Sequence, residues 1–421
     1  MKKVTALFIA IVSFAGSVIG QKNLVPGKPE ENGVSPERLT RIDNVLNNYV
    51  LKEQLPGAVA LIVRNGKIVY EKSFGFADVE KKITLKTNHI FRIASQSKAI
   101  TSLAVMMLWE QGKFLLDEPI SKYIPEFKDP KVLVWFNDKD STYSAQPAKS
   151  EITIRQLLTH TSGIDYAAIG SKEFRAIYAK AGIPSGIGIR NTDVLGDKIK
   201  ILGKLPLKHN PGEQWTYGLN SDVLGYLVEV LSGMTFENFL REKIFKPLEM
   251  NDTYFYLPKE KQDRLVTLYE VKGGKVSPPT VVYDGVNPDY PKMAGHYYSG
   301  GAGLSSTVAD YAKFLQLFLN KGEYNGVRLL SRKTVELMLT EQLHSPLKEK
   351  FGLGFGLETP DNDYVSPYSV GTFSWGGAFS TLYWADPKEK LIGIIYTNIY
   401  NSPFWTLGEK YKALVYQSLI D

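Results

Sequence analysis

Cysteine is absent from this chain of 421 residues. That excludes a disulfide framework, a cysteine nucleophile, an iron–sulfur site and a lipid-modified cysteine at the N-terminus. Histidine is scarce: His89, His160, His209, His296 and His344 are scattered, with no His-Glu-x-x-His or His-x-His pattern. No metal site is therefore expected. No Gly-x-Ser-x-Gly elbow exists, which disfavours an α/β-hydrolase, and no Gly-x-x-x-x-Gly-Lys loop cradles a phosphate. Beyond residue 20 no apolar run is long enough to span a bilayer. Charge of one sign is also lacking in excess. Fifty Lys and Arg face 44 Asp and Glu, a formal charge of +6. With no basic stripe, no nucleic-acid partner is expected. What remains is the make-up of a folded protein, 43% hydrophobic and 22% charged. Its length fits two or three compact units, or one large domain with two lobes.

Residues 1–20 read as a secretory signal peptide. Lys2 and Lys3 supply the positive start, Thr5 to Ile19 is apolar, and Val18 and Gly20 are small residues before a cut at Gln21. Its loss takes the charge from +6 to +4, because it carries those two lysines and no acid. The expectation is an exported protein, periplasmic or secreted, with no membrane span after cleavage.

Residues 21–34 are polar and rich in Pro and Gly, an extended leader. Ser35-Pro36 then opens a helix as N-cap and first-turn proline, and Leu39, Ile42, Val45, Leu46 and Tyr49 follow at helical spacing. Ala58 to Val63 and Ile68 to Tyr70 are β-branched runs joined by Asn65-Gly66, a strong hairpin signal. A helix follows Ser95, with Ile100, Leu103, Ala104, Met107 and Leu108 on one face and Gly112 at its end. Residues 128–150 are polar and irregular, a surface insertion. Further helices are expected over Ile152 to His160, Val223 to Leu231, Ala309 to Leu319 and the tail 404–420. Residues 256–298 read as a long functional loop. Strands are expected at Thr381 to Ala385 and Leu391 to Thr397.

Ser95 and Lys98 are three apart at a helix start, which puts both on one face. A serine hydroxyl is a weak nucleophile until a base takes its proton, and a lysine amine against apolar surroundings can serve. The helix N-terminus favours a developing oxyanion. Position alone equally fits a helix start with a solvated lysine. Ser-x-x-Lys recurs at Ser345 to Lys348, in a polar stretch read as chance.

The neighbours add more. Phe91-Arg92-Ile93-Ala94-Ser95-Gln96-Ser97-Lys98 resembles the nucleophile motif of the serine β-lactamase and penicillin-binding-protein superfamily, in the branch of class C β-lactamases and family VIII carboxylesterases. In the same order come Leu116 to Pro125, Ile152 to Gly163, and Gly300 to Thr307 with Asp310-Tyr311. The resemblance runs from about Ser35 to the C-terminus. It implies an α+β, β-lactamase/transpeptidase-like fold: an antiparallel sheet flanked by helices, from residues 35–95 and 300–421, and a mostly helical lobe from 96–299. Pro211 to Tyr217 is similar to the approach to the family's basic tyrosine, with Asp222-Val223-Leu224-Gly225 after it as in esterase-type members. The resemblance so assigns Tyr217 the base role beside Lys98. The family's asparagine two residues on is replaced by Leu219, with Asn220 one position late, so its amide contact to substrate is expected to be missing. The lysine triad is replaced by Trp375-Gly376-Gly377, as in esterase-like members. Tryptophan offers an apolar wall where lysine would attract a carboxylate. By resemblance the N–H groups of Ser95 and Ala378 form the oxyanion hole. Leu219, Tyr297 and Tyr298 are expected to line the cleft. His160 is read as structural and Arg92 as a charge bridging the lobes.

The expectation is a serine hydrolase, without cofactor, that forms an acyl-enzyme with small uncharged esters. Two rivals stay open: a β-lactamase or peptidoglycan D-amino-acid hydrolase acting on an amide, and a non-catalytic envelope-binding protein of the same fold.

Overall fold

The computed structural model describes residues 24–188, 191–272, 275–279, 285–404 and 406–421. The expected signal peptide, residues 1–20, lies outside them. The leader's Val25–Pro26 pairs in parallel with Lys67 and Ile68.

The central sheet is built from β1 (Gly57–Arg64), β2 (Lys67–Asp78), β3 (Gly356–Leu357), β4 (Phe373–Gly377), β5 (Thr381–Asp386) and β6 (Leu391–Tyr396). Their order is β2-β1-β6-β5-β4-β3, all antiparallel, so the first and last parts of the chain meet where β6 pairs with β1. Asn65 and Gly66 both adopt positive φ, 53° and 72°, as a two-residue hairpin of this twist demands.

Alternation along the strands splits the core in two. Ala58, Ala60 and Ile62 of β1, with Trp384 and Ile395, pack under α1 (Pro36–Leu51) and α6 (Thr406–Tyr416). Val59, Leu61, Val63, Tyr383, Ile394 and Tyr396 face the other way, into the larger core with α2 (Ser97–Glu110) and α5 (Val308–Leu319). Ser35 caps α1 by accepting from the Arg38 N–H, and Pro36 opens the helix. Nearly all of α2 is buried, so its faces are not polar against apolar; it is an interior helix.

Beyond α2 lie α3 (Ile154–Leu158), held by a Thr153/Gln156 capping box, and α4 (Asn220–Ser232), which ends at Gly233 with φ 69°. The fold is therefore α+β, as the sequence implies.

Two segments differ from expectation. Residues 131–147 form a β-hairpin, Lys131–Phe136 against Tyr143–Pro147, rather than an irregular insertion. Its Val134 and Trp135 stay exposed, so a buried-face alternation is missing from the sequence. Residues 256–298 contain a helical turn, Lys259–Arg264, and strand Tyr269–Lys272, which pairs with Ile399–Tyr400.

Candidate active site

Phe91 and Arg92 pair with Ser306 and Ser305, and this short ladder delivers the chain into a tight turn, Ala94–Gln96, ahead of α2. Ala94 adopts φ 42°, a strained value for a residue with a side chain. The turn is pinned from outside. Tyr311 Oη donates to the Gln96 carbonyl at 2.9 Å, and Tyr396 Oη donates to Gln96 Oε1 at 2.7 Å. Ser95 is thereby held almost buried, at 7% exposure.

Lys98 Nζ, itself buried, donates to three oxygens: Ser95 Oγ at 3.2 Å, Tyr166 Oη at 2.9 Å and the Gly301 carbonyl at 2.7 Å. Tyr166 is absent from the sequence reading. It stands three residues past Gly163, where the quoted segment from Ile152 stops, and no local pattern marks it. Burial pushes its phenol well above the usual range, helped by neighbouring Tyr217 and Asp222 and opposed by the Ser95 hydroxyl.

Tyr217 meets Lys98 with its face, the ammonium standing 4.6 Å from the ring centroid. Its Oη accepts from Trp375 Nε1 at 3.2 Å. Trp215 stacks on the ring at 5.8 Å, and Tyr166, His160 and Trp375 surround it. Phe351 meets Trp375 edge-on at 5.3 Å. The result is a cation at the floor of an aromatic wall.

His160 is buried and held far below the usual imidazole range by burial and by the Lys98 charge. Its Nδ1 accepts from Asn220 Nδ2 at 2.9 Å, and Ser162 Oγ donates to Asn220 Oδ1. Asn220 is fully buried with both ends of its amide engaged, so the late asparagine turns inward and its amide is not presented to the cleft.

β4 approaches the Ser95 turn closely. A Cβ on Gly377 would stand 2.4 Å from the Ile93 carbonyl oxygen, so only glycine lets the strand run there. Gly376 precedes it, and Ala378 follows directly, half-buried.

Two expected lining residues need correction. Leu219 is 1% exposed, its Cδ2 packed where a Gly186 side chain would be. Tyr297 is 1% exposed and faces Asp222 from below. Both belong to the core, because the segments carrying them turn inward. Tyr298 is half-buried on Phe255 and Tyr256, its phenol beside Glu237. Arg92 is fully buried, donating to the Val266 and Pro288 carbonyls and to Asn398, with Asp289 at 3.3 Å. Ser345 and Lys348 are exposed in a loop. Among the described residues no cluster of His, Asp or Glu could hold a metal, and no helix is long and apolar enough to cross a membrane.

Known proteins are similar to this chain in sequence and in fold. The esterase EstB of Burkholderia gladioli is 29% identical over 377 residues, covering 85% of this chain and 90% of EstB. A putative D-alanyl-D-alanine carboxypeptidase of Escherichia coli K12 is 26% identical over 427 residues, covering 95% of this chain and 92% of that one. The structure of EstCE1, described as a hydrolase with promiscuous acyltransferase activity, superposes with a TM-score of 0.78 at 25% identity, covering 90% of this chain and 99% of EstCE1. The beta-lactamase family model matches residues 42–417. With that span matched, the chain belongs to the beta-lactamase family of serine hydrolases, among relatives that include esterases and carboxypeptidases.

Proposed function

We propose that the protein is an exported serine hydrolase that cleaves small carboxylic esters through an acyl-enzyme on Ser95. The observation that carries this reading is Lys98 Nζ, 3.2 Å from Ser95 Oγ, under an aromatic wall that includes Trp375, the residue that by resemblance replaces the family's lysine. Beside the hydroxyl, the Lys98–Tyr217 pair supplies the proton acceptor that serine needs, the Tyr217 oxygen taking the proton and the Lys98 cation balancing its charge. An apolar wall without a cation favours an uncharged substrate over a carboxylate-bearing lactam or peptide.

The steps are these. Ser95 Oγ attacks the ester carbonyl and gives its proton to the Lys98–Tyr217 pair. The oxyanion rests on the N–H groups of Ser95 and Ala378. The carbon–oxygen bond to the alcohol breaks, and the pair returns the proton to the leaving oxygen. Water then adds to the acyl-enzyme, losing its proton to the same pair; the bond from Ser95 Oγ to the carbonyl carbon breaks, and the pair returns the proton to Ser95 Oγ as the acid leaves.

Residues 21–421 are assayed against p-nitrophenyl acetate, butyrate and octanoate beside nitrocefin, with Ser95→Ala as control. Ester turnover that the variant loses, with little nitrocefin cleavage, is the expected result. Faster nitrocefin cleavage would point to the β-lactamase alternative. Ester turnover that survives in Ser95→Ala would overturn the role of Ser95.

A further inference from the structure

Asp222 is a buried acid that the steps above leave unused. It is the third residue of α4 and is fully buried. The first turn of a helix favours its negative charge. Neither carboxylate oxygen has a partner in regular hydrogen-bond geometry. The Ser299 and Tyr297 hydroxyls and the Gly301 N–H surround it, and burial holds the carboxyl above its usual range against their pull and that of Lys98. An interior carboxylate so placed is costly unless an opposite charge balances it.

Gly301 shows where that charge is. A Cβ on Gly301 would stand 2.6 Å from Asp222 Oδ2 and 3.5 Å from Lys98 Nζ. The two charged groups are thus at most about 6 Å apart, the range over which opposite charges favour each other's charged form. The Gly301 carbonyl meanwhile accepts from Lys98 at 2.7 Å. This stretch of backbone is clamped between acid and cation, and no side chain would fit there.

We propose that Asp222 is a positioning residue that acts through Lys98 across Gly301, holding the lysine charged and its ammonium aimed between Ser95 and Tyr166. The inference rests on the Ser95 reading above. The titratable groups facing Asp222 are Lys98 from α2, Tyr166 from the segment after α3, and Tyr297 with Asp193 behind it. Loss of the carboxylate acts on Lys98, the cation of that set, and in the same direction on the Tyr166 and Tyr297 phenols, so the comparison below is repeated in a Tyr166→Phe background, where a limb that still moves is that of Lys98.

The test is the pH dependence of Ser95 labelling by a fluorophosphonate, which needs no ester turnover. Wild type, Asp222→Asn and the milder Ser299→Ala are compared, with Ser95→Ala as blank and circular dichroism to verify folding. In Asp222→Asn one limb of the labelling profile moves to lower pH by about one unit, because Lys98 loses its counter-charge. Ser299→Ala weakens support for the carboxylate and shifts the same limb less, in the same direction. Limbs that stay in place in a folded variant, with only the amplitude reduced, would overturn the inference. If Asp222→Asn does not fold, Ser299→Ala decides by the same criterion. A wild type that is not labelled overturns the Ser95 reading and this inference together, whereas a labelled wild type with unmoved limbs overturns this inference alone.

Discussion

Trp375 Nε1 donates a hydrogen bond of 3.2 Å to Tyr217 Oη, joining β4 to the segment ahead of α4. The indole thereby does more than line the cleft. Its N–H supports any negative charge that gathers on the Tyr217 oxygen. Trp375→Phe keeps an aromatic wall and loses the donor. We expect kcat/KM for p-nitrophenyl butyrate to fall about tenfold, near the value of one hydrogen bond to a charged group, with KM little changed. A change in KM alone would assign Trp375 to substrate packing.

Tyr166 and Tyr217 divide the surroundings of Lys98, one by a hydrogen bond at 2.9 Å and the other by its ring face at 4.6 Å. If Tyr217 relays the proton, Tyr217→Phe lowers kcat by roughly 10²–10⁴-fold, the usual contribution of a general acid–base group. Tyr166→Phe, which loses one orienting hydrogen bond, lowers it by roughly tenfold. Steady-state kinetics on the two variants give the order, and the reverse order would make Tyr166 the relay.

Gly377 allows β4 to approach the Ile93 carbonyl, and a methyl there would lie 2.4 Å from that oxygen. Gly377→Ala pushes the strand, and Ala378 with it, away from the Ser95 turn. The expected loss is about 10²–10³-fold in kcat, as for removal of one oxyanion donor. Turnover measured beside Tm separates this from general unfolding; unchanged kcat would place the oxyanion donors elsewhere.

Glu358 is nearly buried, and its Oε1 has no hydrogen-bond partner. Burial raises its carboxyl to about 7, with Asp363 adding to the shift and Lys412 opposing it. Between its ordinary range near 4.5 and that value, the folded state binds more protons than the unfolded chain. Stability from this group is therefore present at the acid end and is lost as pH rises through about 7. Glu358→Gln removes the titration. Thermal melts at pH 5 and pH 8 should show the variant losing less Tm across the window than wild type, and equal losses would show that Glu358 does not titrate there.

Much of the fold is legible in short stretches of sequence. Asn65-Gly66 between β-branched runs marks the β1–β2 hairpin, and Ser35-Pro36 marks the start of α1, because turn dihedrals and caps depend on neighbours in the chain. The hairpin at 131–147 is not legible, since Val134 and Trp135 are exposed and its strands bury no face that would impose alternation.

At the site, the Ser95–Lys98 pair follows from one helical turn, a distance that local geometry sets. Tyr166 lies 68 residues beyond Lys98. It arrives there because α3 packs on α4, which in turn packs on α2, an arrangement that no spacing in the sequence encodes. Leu219 and Tyr297 show the converse: order in the chain suggests a lining, and packing turns both into the core.

The sequence by itself determined the local elements, the Ser95–Lys98 pairing across one helical turn and an aromatic residue at Trp375, because each rests on residue type or on short-range backbone geometry. Only the tertiary structure decided that Tyr166 holds Lys98, that Asn220 turns inward to His160, that Trp375 reaches Tyr217 and that Asp222 sits behind Gly301. These contacts join segments far apart in the chain, and long-range packing of buried faces, rather than any local pattern, brings them together.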